Sequence, residues 1–262
     1  MLKTIYTPLS GSVAQEKVMD IIANNLANTS TVGFKQESVT FKQLLPEPYK
    51  NYKNPLPPAN YKVPFEKIMH LHGNDVDYVG VSGVYRDQTQ GPAIETKSDF
   101  DLLIDGPGYF QVQTPDGERL TRNGSFTVND SGVLSDQLGH PVLGEQGLIY
   151  LRGKNMEVNH LGEIYQDGQM VDRLKTLEVS DERNLERVGY NLYFHGGEEE
   201  GLTKASHMNV RQGYVEGSNV NVMQNLTNMI VAHRSYEAYQ KTIQNYDKMM
   251  EKSSNSLGEV RG

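Results

Sequence analysis

The chain has 262 residues, of which 37% are hydrophobic and 22% charged, enough for one or two domains with a sizeable core. Its formal net charge of −8, with no Lys/Arg block to offset it, argues against a nucleic-acid partner. The absence of cysteine excludes disulfides and thiolate metal sites, and no apolar run reaches the length of a transmembrane helix.

The first stretch, MLKTIYTPLSGSVAQEKVMD, does not read as a Sec signal peptide. It has one early Lys, no continuous apolar segment, and charges where a cleavage site should stand. The expectation is a protein that stays in the cytoplasm or leaves by a route using no cleaved signal. Thr7 is predicted as N-cap of a first helix with Pro8 as its first residue, where the missing N–H costs nothing. Leu9, Val13, Val18, Ile21, Ile22 and Leu26 then form an apolar stripe ending near Ala27. Asn24, Asn25, Asn28, Thr29 and Ser30 favour a helix end, because such side chains bond to nearby backbone. Gly33 beyond them supplies a position free to take positive φ.

Residues 46–64, PEPYKNYKNPLPPANYKVP, carry repeated prolines that oppose both helix and sheet, so an extended arm is expected. From Phe65 the pattern changes to short strands punctuated by Asp105-Gly106, Asp116-Gly117, Asn123-Gly124, Ser131-Gly132 and Asp167-Gly168. Asp-Gly and Asn-Gly are strong hairpin signals, and a mostly antiparallel β domain follows from them. The acidic GEEEG at 197–201 reads as a solvated loop. After Gly213 and Gly217, Ser218 is the expected N-cap of a long helix over 218–252. Val222, Leu226, Met229, Ile230, Tyr236, Ile243, Tyr246 and Met250 fall on one stripe of it. The series Leu226–Met229–His233–Tyr236–Gln240–Ile243–Asp247–Met250 has coiled-coil spacing, with three polar members.

The predicted fold is therefore α+β. Each terminal helix must bury its stripe on the other, on other subunits or on its own domain's core; N- and C-terminal helices packed together as a coiled-coil-like layer would leave the mostly antiparallel β domain inserted between them. The expected segments are 1–45 (helix and turn), 46–64 (arm), 65–205 (β domain) and 206–262 (second helix).

Motifs for chemistry are missing. His70-Leu71-His72 places two imidazoles on one strand face, but only Asp75 and Asp77 lie near, and zinc needs three or four ligands. Asp99, Asp101 and Asp105 are interrupted by Leu102–Leu103–Ile104, which does not fit a calcium loop. GPG at 106–108 is followed by no Lys-Ser/Thr, and no Ser sits in a nucleophile elbow. Arg119 and Arg122 in ERLTRNG read as strand-face charges. No catalytic, metal or cofactor residue is assigned, and the chain is not expected to be an enzyme.

Three separated stretches resemble the bacterial flagellar rod and hook family of axial proteins. They are IIANNLANTSTVGFKQESVTF at 21–41, DFDLLIDGPGYFQVQTPDGERLTRNGSFTVNDSGVLSDQLGHPVLG at 99–144, and EGSNVNVMQNLTNMIVAHRSYEAYQKTIQ from Glu216. The resemblance implies a structural subunit that polymerises with its own copies and with other rod proteins into a tube around an export channel. It implies export through the flagellar type III apparatus, residence in the basal body, no membrane insertion and no cofactor. The tail after Tyr236 and the segment YVGVSGVYRDQTQG look more like a proximal rod protein adjoining the distal rod, with a distal rod protein as the alternative. A secreted cell-wall-binding or cell-wall-cleaving β protein is a remote further reading. Assembly is expected to depend on Leu9, Val13, Ile22 and Leu26 facing Leu226, Ile230 and Ile243, with Val222 and Tyr236 on the same stripe. Asn24, Asn25 and Asn28 should order the turn that Gly33 and Phe34 anchor.

Overall fold

The computed structural model describes residues 3–44, 78–153, 155–181, 184–196, 201–205 and 208–259. The Pro-rich arm, His70, His72, Asp75, Asp77 and most of the acidic GEEEG loop lie outside the described residues. The chain divides into two compact units. One comprises residues 1–23, 38–85 and 226–262; the other comprises 24–37 and 86–225. The asparagine-rich turn and the strands after residue 205 thus belong with the β structure, where the sequence pattern groups them with the helices.

The β-rich unit is built on a six-stranded antiparallel sheet. Its order is Leu185–Gly189, Leu192–His195, Gly117–Thr121, Tyr109–Thr114, Thr176–Val179, Leu202–Lys204. Tyr109–Thr114 is buried along almost all its length, so its two faces feed two cores. Phe110 and Val112 enter the larger cluster with Leu102, Phe126, Leu134, Val142, Ile149, Ile164 and Leu174. Tyr109 enters the smaller one with Leu120, Val179, Leu185 and Tyr193. Each such side chain contributes about 1.5–3 kcal/mol on burial. The rings interlock edge to face, Phe110 on Phe126 at 5.1 Å and Tyr109 on Tyr193 at 5.8 Å between centroids.

Asp116-Gly117, Ser131-Gly132 and Asp167-Gly168 stand between antiparallel strand pairs, with Asp167 and Gly168 at φ 51° and 76°. Two other dipeptides are not hairpins. The strand ending at Asp105 pairs with Asn209–Gln212, far along the chain. Asn123-Gly124 is a crossing point, where the Gly124 carbonyl accepts from Leu102 N. A Cβ on Gly124 would lie 1.6 Å from the Leu102 carbonyl oxygen, so glycine is there for space.

The other unit holds most of helix α1 (Lys3–Ala27), most of helix α2 (Val222–Glu259), and nearly all of a two-stranded ribbon of Glu37–Leu44 with Tyr78–Arg86. Helix α1 begins before the expected Thr7 cap, and Pro8 lies inside it. The proline comes early enough to remove only the bond its N–H would make one turn back, and the ring is buried. Helix α2 begins after Asn221 rather than Ser218. The Asn221 carboxamide oxygen accepts from Gln224 N at 3.0 Å, the bond of an N-cap to its third helical residue. Ser218 Oγ instead accepts from Val220 N at 3.3 Å in the turn before it.

Candidate assembly site

Within the helical unit α1 and α2 pack together. The face that α1 offers is made of small residues, with Gly11, Ser12 and Ala14 buried beside Pro8 and Ile22. A Cβ on Gly11 would come within 2.6 Å of the Tyr239 ring, so glycine lets that aromatic lie directly on the α1 backbone. On α2 the shielded positions include Met229, Ala232, Tyr236, Tyr239, Ile243 and Tyr246, alternating three and four apart. Met229, Tyr236 and Ile243 belong to the expected seam. His233 and Asp247 are exposed, and Ala232 and Tyr246 take their places one residue earlier, while Tyr239 is shielded beside the half-buried Gln240. Hydrophobic patterning cannot detect this shift, because Gly and Ser on the facing helix do not register as apolar.

Four of the seven aliphatic residues expected to face one another are exposed. Leu9 is 43% exposed, Val13 52%, Leu226 43% and Ile230 61%. Val222 is exposed as well. Ile22 is buried, and Leu26, Tyr236 and Ile243 are half-buried.

In the β-rich unit, the turn after α1 is locked by polar side chains. Asn25 is buried and pairs with the backbone of Glu37 in both directions. Its Nδ2 donates to Glu37 O at 2.8 Å and its Oδ1 accepts from Glu37 N at 2.9 Å. Asn28 Nδ2 donates to the Asn24 carbonyl at 2.8 Å, and Thr31 Oγ1 donates to Asn28 Oδ1 at 3.1 Å. Asn25→Ala removes both bonds and strands a backbone pair. We expect a loss of about 1–3 kcal/mol in urea unfolding, with faster hydrogen exchange at the Glu37 amide. Unchanged exchange there would contradict the assignment.

Gly33 adopts φ +69° and donates its N–H to the Glu216 carbonyl at 2.7 Å. Phe34 is fully buried, with the Arg187 guanidinium 5.0 Å above its ring. Asn191 Nδ2 donates to Val32 O at 2.9 Å.

Beside this turn lies a buried ionic cluster absent from the sequence-based list. Lys35 Nζ is 2.6 Å from Glu216 Oε1, and both side chains are 1% exposed. Lys35 also donates to the carbonyls of Thr89 at 2.8 Å and Gln88 at 3.3 Å. Glu216 Oε1 accepts from Gly91 N at 3.0 Å, and its Oε2 lies 3.5 Å from Arg122 Nη1. Arg122 further donates to the carbonyls of Ile104 and Gly106 and stacks 5.0 Å from the centre of the Tyr109 ring. Asn219 completes the clamp, accepting from Gln36 N at 2.7 Å and donating to Asp87 O at 2.8 Å.

Arg122 is therefore not a strand-face charge, whereas Arg119 is, lying over the exposed Phe194 ring. The available signal is period-two alternation, which puts Arg122 on the face of buried Leu120. A charge on a core face requires a partner. Among the described residues no group of three or more His, Asp or Glu side chains could hold a metal ion.

Three family models match the chain. They are "Flagella basal body rod protein" over residues 5–35, "Flagellar hook protein FlgE/F/G D1 domain" over 103–174, and "Flagellar basal body rod FlgEFG protein C-terminal" over 211–257. The chain is similar end to end to the flagellar basal-body rod protein FlgF of Caulobacter vibrioides. Identity is 31% over 263 residues, covering 99% of this chain and 100% of that protein. The flagellar basal-body rod protein FlgG of Buchnera aphidicola subsp. Schizaphis graminum is 33% identical over 266 residues, covering 97% and 99%. The FlgG protein of Caulobacter vibrioides is 30% identical over 266 residues, covering 97% and 98%.

Proposed function

We propose, on the premise that this chain belongs to the flagellar basal-body rod protein family, that its terminal helices are the elements through which copies polymerise into a hollow shaft. The chain is a structural subunit of the bacterial flagellar rod, resides in the basal body and assembles with other rod proteins. Its role in torque transmission is mechanical and not catalytic. Export through the flagellar type III apparatus, without a cleaved signal, belongs to the same proposal.

The observation that carries the proposal is the outward set of Leu9, Val13, Leu226 and Ile230 on a unit made largely of two helices. Single exposed aliphatics are ordinary, but Leu9 and Val13, four apart on α1, and Leu226 and Ile230, four apart on α2, leave an open apolar strip on each helix. Neighbouring subunits in a tube supply a partner for each. We place the chain in the proximal segment adjoining the distal rod. A distal position is the second reading.

Leu226→Asp tests the proposal. Because Leu226 is exposed in the monomer, the change should move unfolding by no more than about 0.5 kcal/mol. Circular dichroism should be unchanged and polymer, assayed by sedimentation and electron microscopy, should be lost. Normal polymer from the variant would sink the inner-helix assignment.

A further inference from the structure

The two edges of the six-stranded sheet differ in shape and charge. At one edge the strand Leu185–Gly189 turns back at Tyr190 and Asn191, both with positive φ, 45° and 59°. Asn tolerates that conformation, whereas an aromatic residue is strained in it, and such strain gathers at sites of contact. Tyr190 gains little from its own chain for this, being 78% exposed. Glu186 and Val188, the latter at a break in the strand register, are also exposed, four and two residues before it. The edge thus ends in a projecting phenol ring followed along the strand by an aliphatic group and a carboxylate.

The opposite edge is the strand Leu202–Lys204, about 24 Å away at ordinary strand spacing. Beside it lies a pocket of about 300 Å³ lined by Leu161, Arg173, Lys204, Ala205 and Met208. That is roughly twice the volume of about 150 Å³ that accommodates a benzene ring in an apolar cavity. Leu161, Ala205 and Met208 supply apolar wall, and Met sulfur is a favoured neighbour of aromatic rings. Arg173 Nε is held by the Leu161 carbonyl at 3.1 Å, and Lys204 by Glu145. The pocket therefore presents cations suited both to a ring face and to a carboxylate.

We propose that Tyr190 of one copy seats in the Leu161–Met208 pocket of the next, with Glu186 paired to Arg173. A projection on one edge of a sheet and a complementary pocket on the other make a head-to-tail contact, the kind that generates open helical polymers. The contact rests on the reading that the chain polymerises, and it adds a joint between β-rich units that is independent of the terminal helices.

The native chain has no cysteine, so the full-length variants Tyr190→Cys and Leu161→Cys each carry a single thiol. Mixed under assembly conditions and oxidised, they should form a disulfide-linked dimer. Its yield should exceed by at least about tenfold that of Tyr190→Cys mixed with an exposed control, Tyr150→Cys, because seated thiols meet at high effective concentration. Polymer with no such excess would overturn the contact while leaving the rod reading intact. No excess dimer, together with no polymer from the unmutated chain under the same conditions, would overturn both. Tyr190→Gly gives a second readout. Glycine relieves the strained turn, so the monomer's Tm should rise while polymer yield falls. A purely structural role would lower Tm, and unchanged polymer yield would overturn the proposal.

Discussion

Glu216→Ala is expected to lower the stability of the β-rich unit by about 3–5 kcal/mol, the range for removing one partner of a buried ion pair. Lys35 and Arg122 both depend on this carboxylate, at 2.6 and 3.5 Å. Without it two cations stay desolvated, facing the uncharged carbonyls of Gln88, Thr89, Ile104 and Gly106. Backbone dipoles offset part of the cost but carry no net charge. Since total stabilities run near 5–15 kcal/mol, the loss is a large share of the whole. Urea unfolding followed by far-ultraviolet circular dichroism should show a lower midpoint with unchanged slope. Glu216→Gln keeps the volume and one acceptor and should cost less. A loss below about 1 kcal/mol for the alanine variant would show that the ion cluster is dispensable to the fold. Changing Lys35 and Glu216 together to apolar residues should recover part of the single-variant loss, because it removes one of the two stranded cations along with its partner.

Gly33→Val should be nearly as damaging, at roughly 2–5 kcal/mol, for a different reason. At φ +69° a β-branched residue is strained by about 1–2 kcal/mol. Its Cβ would also lie 2.7 Å from Arg122 C and Asn123 N, backbone atoms that cannot swing aside, and overpacking of that kind adds about 1–3 kcal/mol. Gly33→Asn separates the two effects, because Asn accepts positive φ but carries the same Cβ. If space dominates, the Tm of the Asn variant falls almost as far as that of Gly33→Ala. A near-native Tm for Asn with a depressed one for Ala would instead put the whole effect in the backbone angle.

Much of the architecture follows from local pattern. The apolar periodicity of α2 makes it a helix whatever surrounds it, and Asp116-Gly117 and Asp167-Gly168 close hairpins because their backbones suit tight turns. The α+β class and the family resemblance were legible for the same reason, as both rest on contiguous residues. Arg122, Glu216 and the α2 seam were not. Lys35 and Glu216 are 181 residues apart, and neither neighbourhood records the other. The seam moved by one residue at alternate positions because Gly11 offers Tyr239 a flat backbone, a preference residing in the opposing helix. Gly124 joins no hairpin because the Leu102 carbonyl occupies the space a side chain would need. The sequence by itself determined which segments are helix, strand and turn, because those choices depend on neighbours within a few residues. Only the tertiary structure decided which charges are buried and which apolar faces remain open, because burial depends on what distant segments place against each side chain.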